Sequence, residues 1–392
     1  MLNLEFHFFP FLEICPSMAA AQVTLRSKFR GCVLGALVGD CMGGRFDSHA
    51  ETFAVISSKT EPSSLRNQIP RSGGRFLFPF GVDSLMMFTT GDLMVDSVRS
   101  GASLETCMSR AVVLAKLQTV LSSESVESSI VKWGTGTRQV LEGDSDRSLH
   151  SNCGVTRSLI SGLWDPVLAS EICAATHTGA VSGAATISRA VYGSVFSNKP
   201  ISPSNGSDGQ YFSLIAKSID LATKSGEYNE SEEFSMHLQN RFAAQFGSDA
   251  SARCCVAAAV FGVHRTIHSL PHLDANSKAY QARILEVSEA GRARQNKGVS
   301  LNMLGNSNRL DAAALYSRLT PSIEQDLPVA LAVNWAISLG GDCRSNAFTA
   351  GALAGSIWGE EAIPEEWRMF SQGAQRAKDL ADKIYDQYIA SL

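Results

Sequence analysis

The chain has 392 residues, 44% of them hydrophobic and 18% charged, with a formal net charge of −4. That composition is too apolar for a disordered chain and long enough to bury a large core. It carries no basic block of the kind that marks a nucleic-acid footprint or a polybasic membrane anchor. The 9 cysteines are odd in number, scattered, and never at Cys-x-x-Cys spacing. A disulfide framework or thiolate zinc site is therefore not expected, and reduced thiols in the cytoplasm or nucleus are.

Residues 1–17 are rich in Phe and Leu but are interrupted by Glu5, Pro10 and Glu13, with no cationic start. They fit neither a signal peptide nor a membrane span and read as part of a tail over residues 1–27, with a second Met at Met18. From residue 28 to 392 a single helical domain is expected. Phe29, Val33, Leu37 and Cys41 fall on one helix face; Cys107, Ala111, Leu114 and Leu121 repeat the pattern, as do Val329, Val333 and Ile337. Glycines at Gly39, Gly43-Gly44, Gly73-Gly74 and Gly340-Gly341 mark expected helix ends. Residues 197–209 and 291–305 read as surface loops. Ala347, Ala350, Gly351, Ala354 and Gly355 make a small-residue face on which another helix backbone can lie close.

Three segments share one design, glycine then Asp then an expected helix: Gly39-Asp40, with Asp47 soon after, Gly81-Val82-Asp83-Ser84, and Gly340-Gly341-Asp342-Cys343-Arg344-Ser345. The plain role of such an Asp is to cap backbone N–H groups. The chemical role is to gather carboxylates around a hard cation, which takes oxygen ligands. Gly134-Thr135-Gly136-Thr137 ahead of a helical stretch could offer N–H groups to a phosphate, or simply turn the chain. His264, His268 and His272 stand four apart, but Pro271 breaks the helix before the third, which favours surface roles over zinc.

Several of these segments resemble one family. Phe29-Arg30-Gly31-Cys32 with Leu34 to Cys41 is similar to the opening helix of the ADP-ribosylglycohydrolases, nearest the branch that removes ADP-ribose from serine and degrades poly(ADP-ribose). Ala175-Thr176-His177 resembles its Thr-His segment. Asn152-Cys153-Gly154 stands at its Asn-Gly-Gly, and Ser338 to Asp342 with Ala350 to Gly355 at its last metal loop and helix. Order and spacing agree from about Phe29 to Trp367. The resemblance implies an all-α fold of many helices around a central cleft, with two Mg²⁺ ions at its base and ADP-ribose or ADP-ribosylated protein as partner.

The departures fall on the chemistry. The family's Thr-Asp-Asp-Thr is Gly81-Val82-Asp83-Ser84 here, and its Gly-Gly-Asp-Thr-Asp-Thr is Gly340 to Ser345 with Arg344 at the second Asp. The family's catalytic Glu falls at Asp47. The Gly-Ser-Tyr-Gly run that cradles ADP-ribose is Ser148-Leu149-His150-Ser151, ahead of Asn152, and His177 matches a position near the ligand. Asp83, Ser84, Asp342 and Ser345 remain as metal-ligand candidates. Two Mg²⁺ ions bring four positive charges, whereas Asp83 and Asp342 offer two negative ones, Asp47 one more, and Arg344 takes one back. A guanidinium stays charged and cannot be a ligand. The expectation is a weakly active or non-catalytic member, with ligand-binding or structural use of the cleft, and with Arg344 in vacated metal space bridging Asp342 or Asp83. The alternative is an active hydrolase of the O- or N-glycosidic bond using one Mg²⁺, with Asp47 as base.

Overall fold

The structure is a computed structural model that describes residues 23–44, 78–123, 133–143, 149–197, 209–225, 232–269 and 327–392. Asp47, Ser148, Gly73-Gly74, His272, the 291–305 loop, residues 198–208 and most of the N-terminal tail lie outside the described residues. The architecture is all-α. In chain order the helices are α1 (Leu25–Gly43), α2 (Val82–Arg99), α3 (Leu104–Cys107), α4 (Arg110–Ser122), α5 (Thr135–Leu141), α6 (Cys153–Ser158), α7 (Ala169–Ala174) and α8 (Val181–Ser197). They continue as α9 (Gly209–Ser225), α10 (Glu232–Phe246), α11 (Ala252–Ser269), α12 (Pro328–Ser338), α13 (Cys343–Trp358), α14 (Glu365–Phe370) and α15 (Ala374–Ala390). Two isolated bridges, Phe78 with Ser371 and Ser151 with Ser251, are the extended pairings among the described residues.

The centre of the fold is α13, whose residues are buried on every side except at Arg344 and Ile357. A helix apolar all round belongs inside a bundle. Helices α1, α11, α12 and α8 enclose it, and α15 closes the outer side of α1. The expected face of α1 is buried: Phe29, Val33, Leu37 and Cys41 are each at most 1% exposed. So are Val329 and Val333 on α12.

Helices α1 and α13 run antiparallel with their backbones in contact. A Cβ at Gly31, Gly35 or Gly39 would land on the carbonyl oxygen of Gly355, Gly351 or Ala347 respectively, and one at Gly43 would land on Cys343. The stripe recurs every fourth residue on both helices, which keeps it on one face of each. The small-residue face at Ala347, Gly351 and Gly355 thus has its partner in a glycine stripe of α1.

Two expectations need correction. Gly39 does not end a helix but lies inside α1, and Asp40 sits in its last turn rather than at a helix start. Gly39 is there for the close approach to Ala347, not for a turn. In the second case, Cys107 and Ala111 lie on different helices, because Met108-Ser109 breaks the chain between α3 and α4. Ala111 is exposed and the buried face of α4 is Val113 and Leu117.

An alanine in an open helix would be about 1 kcal/mol more favourable than glycine. At Gly35 the sign is reversed, because carbonyl backbone, not a flexible side chain, faces the new methyl. Gly35→Ala is expected to lower unfolding free energy by about 3 kcal/mol, the upper end of the usual cost of overpacking, measured by urea denaturation.

Candidate functional site

Three helix ends meet where the α1–α13 contact finishes. Asp40 lies in the last turn of α1, Asp83 in the first turn of α2, and Asp342 caps α13 with its side chain accepting from Ser345 N at 3.1 Å. The cap of α2 is supplied from outside. Its N-cap, Gly81, has no side chain, and Asp40 Oδ2 instead accepts from Gly81 N at 2.7 Å and Ser84 N at 3.1 Å. A carboxylate is well placed there, since free N–H groups and the helix dipole favour negative charge.

Asp83 and Asp342, distant in sequence, are joined by one hydroxyl. Ser345 Oγ lies 2.6 Å from Asp83 Oδ2 and 3.2 Å from Asp342 Oδ2. The other side of Asp83 accepts from Thr156 Oγ1 at 2.7 Å, and Asp342 Oδ2 also accepts from Asn152 Nδ2 at 2.8 Å. Burial pushes the Asp83 carboxyl up to about 7, with the charges of Asp40 and Asp342 adding to the rise and the Ser345 and Thr156 hydroxyls opposing it. Ser84 Oγ and Asn152 Oδ1 are buried and meet no hydrogen-bond partner among the described residues.

Among the described residues Arg344 pairs with Asp40, Nη1 to Oδ1 at 2.8 Å, and not with Asp342 or Asp83 as expected; Asp40 is fully buried while the arginine side chain is 21% exposed. The reason is position. Arg344 follows Cys343 on the side of α13 that faces the end of α1, whereas Asp342 and Ser345 face α2 and α6.

The expected ligand-cradle residues are brought together. Leu149, His150 and Asn152 are pinned by backbone bonds: Gly179 N to Leu149 O at 3.0 Å, Ala252 N to His150 O at 2.9 Å and Asn152 N to Ala250 O at 2.9 Å. Ser151 pairs with Ser251. His150 is exposed, and Nδ1 lies 3.1 Å from Gly179 O. Gly134 is the N-cap of α5, and a Cβ at Gly136 would press on Leu149 at 3.0 Å, so the start of α5 lies against this strip.

His177 is fully buried and both ring nitrogens are engaged. Nε2 faces Thr137 Oγ1 at 3.3 Å, while Nδ1 meets Thr176 Oγ1 at 2.5 Å and Arg157 Nη1 at 3.3 Å. Arg157 can only donate, so Nδ1 accepts and Nε2 carries the proton toward Thr137. The remaining Arg157 donors cap the carbonyls of Ile172 at 3.0 Å and Cys173 at 2.7 Å, at the negative end of α7. Burial, then the Arg157 charge, holds His177 well below its ordinary pKa. His177 thus lies in the core, facing Thr137 at the start of α5. His268 is exposed and contacts Thr223 Oγ1 at 3.0 Å from Nε2, a surface role.

Asp40 stood in one of the three glycine–Asp segments but was not among the metal-ligand candidates carried forward, and Thr156 and Arg157 were not picked out at all. Asp40 had a signal: a lone carboxylate inside an apolar, glycine-striped helix needs a buried partner. Thr156 and Arg157 had none, since their partners are remote in sequence.

This arrangement, with helix-end carboxylates gathered beside an Asn strip and a buried histidine, belongs to a recognisable class. Residues 21–391 match the ADP-ribosylglycohydrolase family model, and the chain belongs to that family. ADP-ribosylhydrolase ARH3 of Mus musculus is 24% identical over 379 residues, covering 92% of this chain and 91% of the relative. The Homo sapiens ARH3 is 24% identical over 378 residues, covering 92% and 93%. The Danio rerio ARH3 is 39% identical over a stretch of 56 residues, 14% of this chain and 15% of that protein. A solved ADP-ribosylglycohydrolase-related protein complex has a chain 14% identical, with a TM-score of 0.47, covering 93% of this chain and 99% of that one.

The histidine gives a pH test. An unfolded histidine titrates near pH ~6.5, whereas folded His177 stays neutral well below that. As pH falls past the unfolded value, the unfolded state takes up a proton that the folded state refuses, and stability drops. Between pH 6.5 and 5 the wild type should lose up to about 1.4 kcal/mol per pH unit more than His177→Gln, measured by paired urea titrations across that range.

Proposed function

We propose that this chain is an ADP-ribosylglycohydrolase-fold protein, folded as one domain that starts with α1 at Leu25 rather than at residue 28, and that it receives an ADP-ribosyl group without hydrolysing it at the rate of a fully liganded relative. One observation carries this reading. Both oxygens of Asp40, Asp83 and Asp342 already accept hydrogen bonds from the chain: Arg344, Gly81 and Ser84 for Asp40, Thr156 and Ser345 for Asp83, and Ser345 and Asn152 for Asp342.

Mg²⁺ needs near-octahedral oxygen coordination at about 2.0–2.1 Å and surrenders its waters reluctantly. A pair of such ions does not fit carboxylates that are bonded to one another through Ser345 and countered by a guanidinium. Asp83 would have to release both hydroxyls, and Arg344 would be left beside a divalent charge.

Ser84 Oγ and Asn152 Oδ1 are buried polar atoms without partners among the described residues, and each could pair with a hydroxyl. Leu149, His150 and Ser151, together with Gly134 and Gly136 at the start of α5, are the residues this reading assigns to the ligand, with Ser148, which lies outside the described residues, preceding them in sequence. ADP-ribose, free or on protein, is the partner. The cysteines among the described residues are free thiols, which supports a reducing compartment, cytoplasm or nucleus. Among the described residues no helix is long and apolar enough to cross a membrane.

Calorimetry with ADP-ribose should show saturable binding that is the same in EDTA and in MgCl₂. Cleavage of an ADP-ribosyl-serine peptide should be more than about 100-fold slower than by a relative with its oxygen ligands intact. Brisk Mg²⁺-dependent cleavage would replace this reading with the one-ion hydrolase built on Asp83, Asp342, Ser345 and Asp47. Absence of ADP-ribose binding would leave the fold in a structural role.

A further inference from the structure

Arg344 occupies a costly position. It stands in the first turn of α13, where the helix dipole disfavours a cation. It is held there by Asp40, at 2.8 Å, and by the space around it. A Cβ at Gly81 would fall onto the Nη1, Cδ and Cζ atoms of Arg344, and one at Gly44 onto Nη2 and Cζ. Gly81 has φ −108° and ψ −163°, an extended conformation open to any residue. The backbone does not require glycine at residue 81, but a side chain there would displace the guanidinium from its present position. The room at Gly81 and Gly44 and the guanidinium of Arg344 fit one another.

We propose that Arg344 is a resident cation, seated in the room left by Gly81 and Gly44, which takes over through Asp40 the charge-balancing and helix-joining role of a divalent ion. Asp40 is the hub. One oxygen faces Arg344 from α13, and the other holds Gly81 N and Ser84 N of α2. The ends of α1, α2 and α13 are tied together by parts of the chain alone. Because this concerns metal and stability, it stands or falls separately from ADP-ribose binding.

The test is thermal unfolding of the full chain in EDTA, MgCl₂ and MnCl₂, with Mn²⁺ binding followed by electron paramagnetic resonance. The wild-type Tm should be the same in all three, with no saturable Mn²⁺ binding. Arg344→Met, which keeps bulk but removes the charge, should lower Tm by roughly 5–10 °C, because Asp40 is left buried and uncompensated. Adding Asp40→Asn should recover part of that loss. Gly81→Thr alone should lower Tm. Gly81→Thr with Val82→Asp and Arg344→Asp should bind Mn²⁺ saturably and gain Tm from either metal. A saturable rise of wild-type Tm with Mg²⁺ would overturn the proposal. So would an Arg344→Met protein as stable as its parent, or a folded triple variant that ignores both metals. If the triple variant does not fold, the wild-type titration and the Arg344→Met, Asp40→Asn pair decide the matter.

Discussion

The contact on which the rest of this structure depends is the bare-backbone crossing of α1 and α13. Glycines at every fourth residue of α1 meet Ala347, Gly351 and Gly355 of α13 with no side chain between them. At ordinary helix spacing, about 8–10 Å between axes, side chains would separate the two ends. Without them the last turn of α1 reaches the first turn of α13. Asp40, Asp342, Arg344 and Ser345 then share one small volume.

Placing three carboxylates together in a dry volume raises their mutual energy, and a fold can lower it by a metal, a proton or an internal cation. Among the described residues Arg344 pairs with Asp40, and burial pushes the Asp83 carboxyl up to about 7. Hydroxyls from Ser345 and Thr156 and the amide of Asn152 complete the coordination of the carboxylates. Every oxygen of the three carboxylates accepts a hydrogen bond, while Asn152 Oδ1 and Ser84 Oγ meet no partner among the described residues.

A second polar centre lies beside the first. Arg157 is wholly buried with its donors on the end of α7 and on His177, so its charge is balanced by a helix end rather than a carboxylate. It fixes the histidine tautomer, and the histidine in turn faces Thr137 on α5. The cradle wall is thereby attached to the core through side chains.

By itself the sequence determined the helical class, the buried faces at Phe29 to Cys41 and Val329 to Ile337, and, through its motifs, the family. Periodicity and short motifs are local, and the meeting of Asp83 with Asp342 through Ser345 is not. The sequence also showed that Val82 and Arg344 stand where carboxylates are expected. Only the tertiary structure decided that Gly39 serves a helix crossing instead of a helix end, that Asp40 belongs to the site, and that Arg344 turns to Asp40 instead of Asp342. A glycine reads the same whether it bends a chain or admits a neighbour. Which carboxylate an arginine meets is set by the direction its helix face points after packing, and residues 40 and 344 become neighbours only because two helices can touch backbone to backbone.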